Sequence, residues 1–196
     1  MRPAALALAA SGLLALACVT REDVVCPGDT VAVFHLKGPL VAAGDPLVAS
    51  LDPVPDLPDC TPAPLDPAAA IRYPHLLPPF DAKLAVDPAT AAAALCRSTG
   101  VVYTGERTGA SRYAVEVDAS PAAPCVNSAC AAALRVIVAG DVALDANGAP
   151  EGFHGILFEV LTQEAGACGG CLPPVPGANP PALACAARYA LTGTLR

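Results

Sequence analysis

Nine cysteines in 196 residues constrain this chain more than any other feature. Thiols at that density persist as disulfides in an oxidising compartment and are rare in a reducing one. Cross-links also suit a chain that is short of core-forming material. Hydrophobic residues make up 54% of the sequence, but 43 of its residues are alanine, only eight are aromatic and none is tryptophan. Alanine removes little area from water, so the core is thinner than the percentage implies. The 22 prolines and 16 glycines argue against a helical bundle, and the length leaves room for one ordinary domain. A formal net charge of −7 excludes a nucleic-acid partner, because phosphate binding needs a basic face.

The first residues have the shape of a secretory signal. Met1-Arg2 supplies a positive start, and Ala4 to Ala17 form an apolar stretch broken only by Ser11 and Gly12. That stretch falls short of the roughly 20 residues a spanning helix needs. Residues 1–17 are therefore expected to be removed. The cut point carries more information: Leu14-Ala15-Leu16-Ala17-Cys18 resembles the lipobox of bacterial lipoproteins. The resemblance covers only these residues and implies location and modification, with Cys18 as the first mature residue and the bearer of the lipid. The commonest lipobox has Leu where this chain has Ala15, and Ala15-Leu16-Ala17 also meets the small-x-small rule of ordinary cleavage, which would give a secreted or periplasmic protein. Parity favours the lipoprotein. With Cys18 acylated, Cys26, Cys60, Cys96, Cys125, Cys130, Cys168, Cys171 and Cys185 remain, an even set that can pair completely. Two acyl chains on one cysteine make a stable membrane anchor. Val19 stands where Asp would signal inner-membrane retention, so the resemblance implies the outer membrane.

Residues 18–30 then serve as a tether and residues 31–196 as a single disulfide-rich domain. Within it, 39–81 is expected to be a Pro-rich loop, because Pro53, Pro55, Pro58, Pro62, Pro64 and Pro67 crowd together and cannot donate to a continuous ladder. A polyproline ligand for a partner is the alternative, though the basic flanks of a P-x-x-P motif are missing. Cys60 should pin the loop to the body. Asp87-Pro88 followed by Ala89 to Leu95 predicts one short helix, capped by Asp87 and stopped at Gly100. Elsewhere the period is that of strands. Arg112 to Asp118 alternates, with Tyr113, Val115 and Val117 on one face. Val31–Leu36, Val101–Thr104, Ala133–Leu144, Phe153–Leu161 and Ala187–Leu195 complete six strands, the last placing Tyr189, Leu191 and Leu195 inward. The fold expected is mainly β: an antiparallel β-sandwich or open barrel with one short helix, stapled by disulfides.

Counting outward from the Asn147-Gly148 turn sets Cys130 opposite Cys168 and Cys125 opposite Cys171 at the open end of one hairpin. The local pairs 125–130 and 168–171 compete with that arrangement. Cys26 with Cys60 and Cys96 with Cys185 are the simplest pairs left. Cys168-Gly169-Gly170-Cys171 has the spacing of thiol redox proteins but is followed by Leu172-Pro173-Pro174, which cannot build the helix that stabilises a reactive thiolate. A zinc site from Cys125, Cys130, Cys168 and Cys171 is weakened by its loose spacing and by the compartment.

His35, His75 and His154 share no metal-binding spacing. His35 and His154 fall in expected strands and can meet in space with Glu159 near. Asp145-x-Asn147-Gly148 is part of a calcium loop only in outline, since the residue at its closing position is His154. No nucleophile elbow or phosphate-binding loop occurs. The expectation is thus no cofactor, no metal and no catalytic residue: a lipid-anchored envelope protein that binds or scaffolds. The alternatives are an envelope or secreted hydrolase with a non-linear site, and an envelope thiol oxidoreductase. A concave site gathering His35, His154 or the carboxylates would favour the hydrolase.

Overall fold

Side chains alternate between two faces along eight strands, and every strand finds a partner on both sides. The computed structural model describes residues 25–49, 56–60, 76–119, 129–169 and 171–196. In it β1 (Asp29–Val41), β2 (Leu76–Val86), β3 (Ala92–Arg97), β4 (Val102–Arg107), β5 (Arg112–Asp118), β6 (Ala131–Leu144), β7 (Pro150–Ala165) and β8 (Ala184–Leu195) close into one antiparallel barrel in chain order. Neither a sandwich nor an open barrel forms. Closure follows from β1, which pairs with β2 along one side and with β8 along the other, leaving no open edge. Walking round the wall from Leu40 through Tyr189, Leu157, Val138, Val115, Gly105, Ala93 and Val86 returns to β1 at Asp29, eleven positions upstream. Such a displacement means strongly tilted strands and an interior just wide enough for side chains to fill.

That interior is apolar. Phe34, Leu36, Leu84, Leu95, Tyr103, Val115, Val138, Leu157, Tyr189 and Leu191 all lie buried within it. On the outside Arg112 pairs with Asp141, and Arg135 with Glu116 and Asp118. A barrel that spans lipid has the opposite arrangement, with an apolar band outside and a polar interior. Among the described residues no helix is long and apolar enough to cross a membrane.

Phe153 seals the end of the barrel that carries the tight turns. Its ring lies 5.9 Å from that of Phe34. The space comes from three inward glycines: a Cβ at Gly140 would stand 2.7 Å from the Phe153 ring, one at Gly155 2.9 Å from it, and one at Gly193 2.9 Å from the Phe153 Cβ. At the other end the chain folds over the opening. Leu172 is fully buried there, beside Cys130 and Cys168.

The helix expected over 88–95 does not form. Asp87 does act as a cap, accepting from the Ala89 amide at 2.9 Å and the Thr90 hydroxyl at 2.8 Å, but it caps a tight turn. Ala91 takes a left-handed φ of 61° and the chain reverses into β3. The alanines that suit a helix equally suit a narrow strand, and the ladders to β2 and β4 decide between them. A one-turn helix, Pro46–Ala49, lies elsewhere. The expected loop 39–81 is shorter than its span, because β1 runs on to Val41 and β2 starts at Leu76. Pro78 and Pro79 are tolerated in β2 because pairing with β3 begins only at Ala82, so their missing N–H groups break no ladder on that side. Leu195, expected inward, is exposed at the rim, while Tyr189 and Leu191 are buried as expected.

Residues 56–60 lie along the outer wall beside β8. Ala186 donates to Pro58 and accepts from Cys60, and Leu57 joins Ile156, Phe158, Val160 and Ala186 in a second apolar cluster outside the barrel. Arg188, 1% exposed, reaches the Asp59 carboxylate at 2.6 Å and the Leu57 carbonyl at 2.7 Å. Removing the carboxylate takes the Asp59 charge away from a buried cation. Asp59→Asn is expected to cost about 1–3 kcal/mol in chemical denaturation, less than a fully enclosed pair because Asp59 is partly solvated. An unchanged midpoint would show that the pair adds nothing.

Candidate functional site

All seven cysteines within the described residues are disulfide-bonded. Cys130 bonds to Cys168, the pair set by the count outward from Asn147-Gly148, and the β6–β7 ladder runs to within one residue of Cys130. The leftover pairs are exchanged: Cys26 bonds to Cys96 and Cys60 to Cys185, in place of Cys26 with Cys60 and Cys96 with Cys185. The reason lies in β2 and β3. Cys96 faces outward from β3, against the segment that leads into β1, while Cys60 pairs alongside β8, where Cys185 shares the inward face of Ala187 and Tyr189. Cys171 is also bonded, but Cys125, its expected partner, lies outside the described residues, as do Cys18 and His75. Cys168 and Cys171 do not bond to each other, so the C-x-x-C redox pair is not formed.

The histidines do not meet Glu159. His35 and His154 both project from the outer wall on either side of β8, opposite Thr194 and Thr192. His35 Nδ1 lies 2.9 Å from the Asp81 carboxylate, which also accepts from Arg196 at 2.9 Å, and His154 is exposed. Glu159 points the other way, into the lumen, because it shares its face with Leu157 and Leu161. The wall of the barrel separates acid from base. Asp145 binds the amides of Asn147 and Ala149, each at 2.8 Å, and these hold its carboxyl below the usual range, as a turn requires. Among the described residues no three His, Cys, Asp or Glu side chains gather closely enough to hold a metal ion.

Among the described residues, the lumen holds a constellation that packing does not explain. Arg97, the last residue of β3, shares the inward face with Leu95 and lies over the Phe80 ring, 4.1 Å from its centroid. It makes a long 3.5 Å bond to the Tyr103 hydroxyl, and its Nε is buried without a hydrogen-bond partner among the described residues. Glu159 faces it from β7. Strands β3 and β7 are four apart in either direction round the barrel and so oppose each other across the lumen. Among the described residues no ion pair within 4.0 Å joins the two groups, and none reaches the Glu159 carboxylate. Both side chains remain half-buried. Burial pushes the Glu159 carboxyl up, and the Arg97 charge only partly offsets this. Burial and then the Glu159 charge push the Tyr189 hydroxyl up to about 12.

A raised carboxyl has a defined effect on stability. Between the ordinary and the raised value the folded protein keeps a proton that the unfolded chain has lost, so stability present at low pH is lost as pH rises through that window. The thermal midpoint of the native protein is expected to fall, relative to Glu159→Gln, as pH climbs from about 4 towards neutrality. Parallel pH profiles for the two proteins would contradict this.

Arg97, Tyr103 and Phe80 were not legible as a site, since 88–95 reads as a helix. Glu159 leaves a signal, a charge on the face shared by Phe153, Leu157 and Leu161. That signal is masked because Ile156, Phe158 and Val160 make the opposite face apolar as well. The chain matches no protein-family model, no curated protein and no solved structure.

Proposed function

We propose that the protein is a lipid-anchored, non-catalytic binding or structural module of the bacterial envelope, trimmed before Cys18 and held at the outer membrane by acyl chains on that cysteine. The observation that favours binding over a purely structural role is that Arg97 and Glu159 place two half-buried charges on the inward face of an otherwise apolar barrel. Half-buried charges that no opposite charge offsets cost stability, and a purely structural barrel gains nothing from them. The hydrolase is less well supported, because His35 and His154 stand outside the wall and Glu159 inside it. The bonded cysteines fit an oxidising compartment. Cys26, held on the outer wall by Cys96, leaves a tether from Cys18 that spans at most about 27 Å when extended.

Metabolic labelling with a fatty acid tests the anchor. The wild-type protein is expected to take up label and sediment with membranes, and Cys18→Ser to do neither. Label that survives the substitution contradicts the proposal.

A further inference from the structure

Of the three asparagines in the chain, Asn127, Asn147 and Asn179, only Asn147 precedes a glycine. An asparagine so placed can lose its side-chain amide without an enzyme. The Gly148 backbone nitrogen gives up its proton and attacks Asn147 Cγ; the new N–Cγ bond closes a succinimide ring as the Cγ–Nδ2 bond breaks and ammonia leaves. Water then opens the ring at either carbonyl, giving aspartate or isoaspartate. Glycine hinders the attack least, because it carries no side chain beside the nitrogen. Gly148 is exposed, and a Cβ there would meet nothing within 4 Å.

We infer that Asn147 is a modification site held shut by Asp145. Asp145 fastens the turn on both sides of the reacting pair. Its Oδ1 accepts from the Asn147 and Ala149 amides, each at 2.8 Å. Its carbonyl accepts from the Gly148 amide at 3.0 Å, and its own amide donates to the Ala149 carbonyl at 2.8 Å. Gly148 sits at φ 81°, the left-handed conformation that a short hairpin loop uses. The attack needs the Gly148 nitrogen stripped of its proton and turned towards Asn147 Cγ. In the turn that proton is engaged by the Asp145 carbonyl, and rotating the peptide breaks this bond and draws Ala149 off the carboxylate. The carboxylate also faces the Gly148 amide, so its charge opposes the anionic nitrogen that the attack requires. What the lock protects is the longest ladder of the barrel. Isoaspartate adds a methylene to the main chain inside the turn that joins β6 to β7 and sets Leu144 opposite Pro150.

Peptide mass mapping of the full mature protein held in mildly alkaline buffer, with isoaspartate resolved from aspartate by chromatography, tests the inference. Asn147 is expected to deamidate at least ten-fold more slowly in the folded protein than in the same chain unfolded in guanidinium. Asp145→Ala is expected to speed the reaction at least ten-fold while circular dichroism shows a folded barrel. Should that variant fail to fold, Asp145→Asn, which keeps an acceptor oxygen and loses the charge, takes its place and is also expected to be faster than the native protein. Asp59→Asn, remote from the turn, should leave the rate at Asn147 unchanged. A folded protein that deamidates as fast as the unfolded chain overturns the inference, as does a folded Asp145 variant no faster than the native protein. Equal acceleration by Asp59→Asn overturns it too, because the rate then reports global unfolding and not the turn.

Discussion

Replacing Cys60 and Cys185 together by alanine is expected to lower the unfolding free energy by about 4–5 kcal/mol, the largest single loss available without touching the barrel ladder. The bridge closes a separation of 125 residues, against 70 for Cys26–Cys96 and 38 for Cys130–Cys168. In the chain-entropy account a cross-link stabilises by restricting the unfolded state, and the effect grows with the logarithm of the loop. The nested 130–168 bridge shortens the effective loop, but a logarithm responds little to that. A second consequence follows from what Cys60 holds down. Without it residues 56–60 are held only by their bonds to Ala186 and Arg188, and the cover that Leu57 gives the outer cluster around Ile156 and Phe158 is weakened. The variant should therefore also self-associate. Guanidinium denaturation followed by sizing checks both effects. A loss no larger than about 1 kcal/mol would mean that the unfolded chain is already restricted there.

Phe153→Ala is expected to cost about 3–5 kcal/mol, towards the upper end of that range for a large-to-small core change. The ring is 3% exposed and rests among Gly140, Gly155 and Gly193. Glycines have no side chain to move into a cavity, and their backbones are held by ladder pairing on both sides. The site cannot collapse, so most of the cavity persists. Phe153→Leu keeps more of the volume and should cost clearly less. Urea denaturation of both variants measures the difference. If Phe153→Ala costs no more than truncation of the exposed Leu144, Phe153 does not seal the lumen.

Period and turn chemistry made much of the barrel legible in the sequence. The alternation of Arg112–Asp118 put Tyr113 and Val115 inside, and Asn147-Gly148 marked the turn between β6 and β7. Two strands escaped for different reasons. In β2 the Pro78-Pro79 pair reads as loop, and only the missing neighbour along Leu76–Asp81 makes prolines acceptable. In β3 the run of alanines is intrinsically helical, and non-local pairing overrides it. Closure escaped as well, because it depends on which strands meet at the seam between β1 and β8 and not on any local pattern. Both halves of the lumen site suffered from these errors. Arg97 was hidden by the helix, and Glu159 by an apolar stretch on both faces of β7. The exchanged disulfides have the same origin, since pairing Cys26 with Cys96 requires knowing that the N-terminal segment runs against β3.

Cys171 is bonded, and its partner lies outside the described residues, where only Cys18 and Cys125 remain within the chain. A lipidated Cys18 leaves Cys125 for that bridge. Non-reducing peptide mapping of the mature protein, extracted from membranes, therefore tests anchor and staples together. The expected result is an N-terminal peptide that begins at acylated Cys18 and a separate cross-linked peptide joining Cys125 to Cys171. An unacylated Cys18 bonded to Cys171, with Cys125 left as a free thiol, would contradict the account.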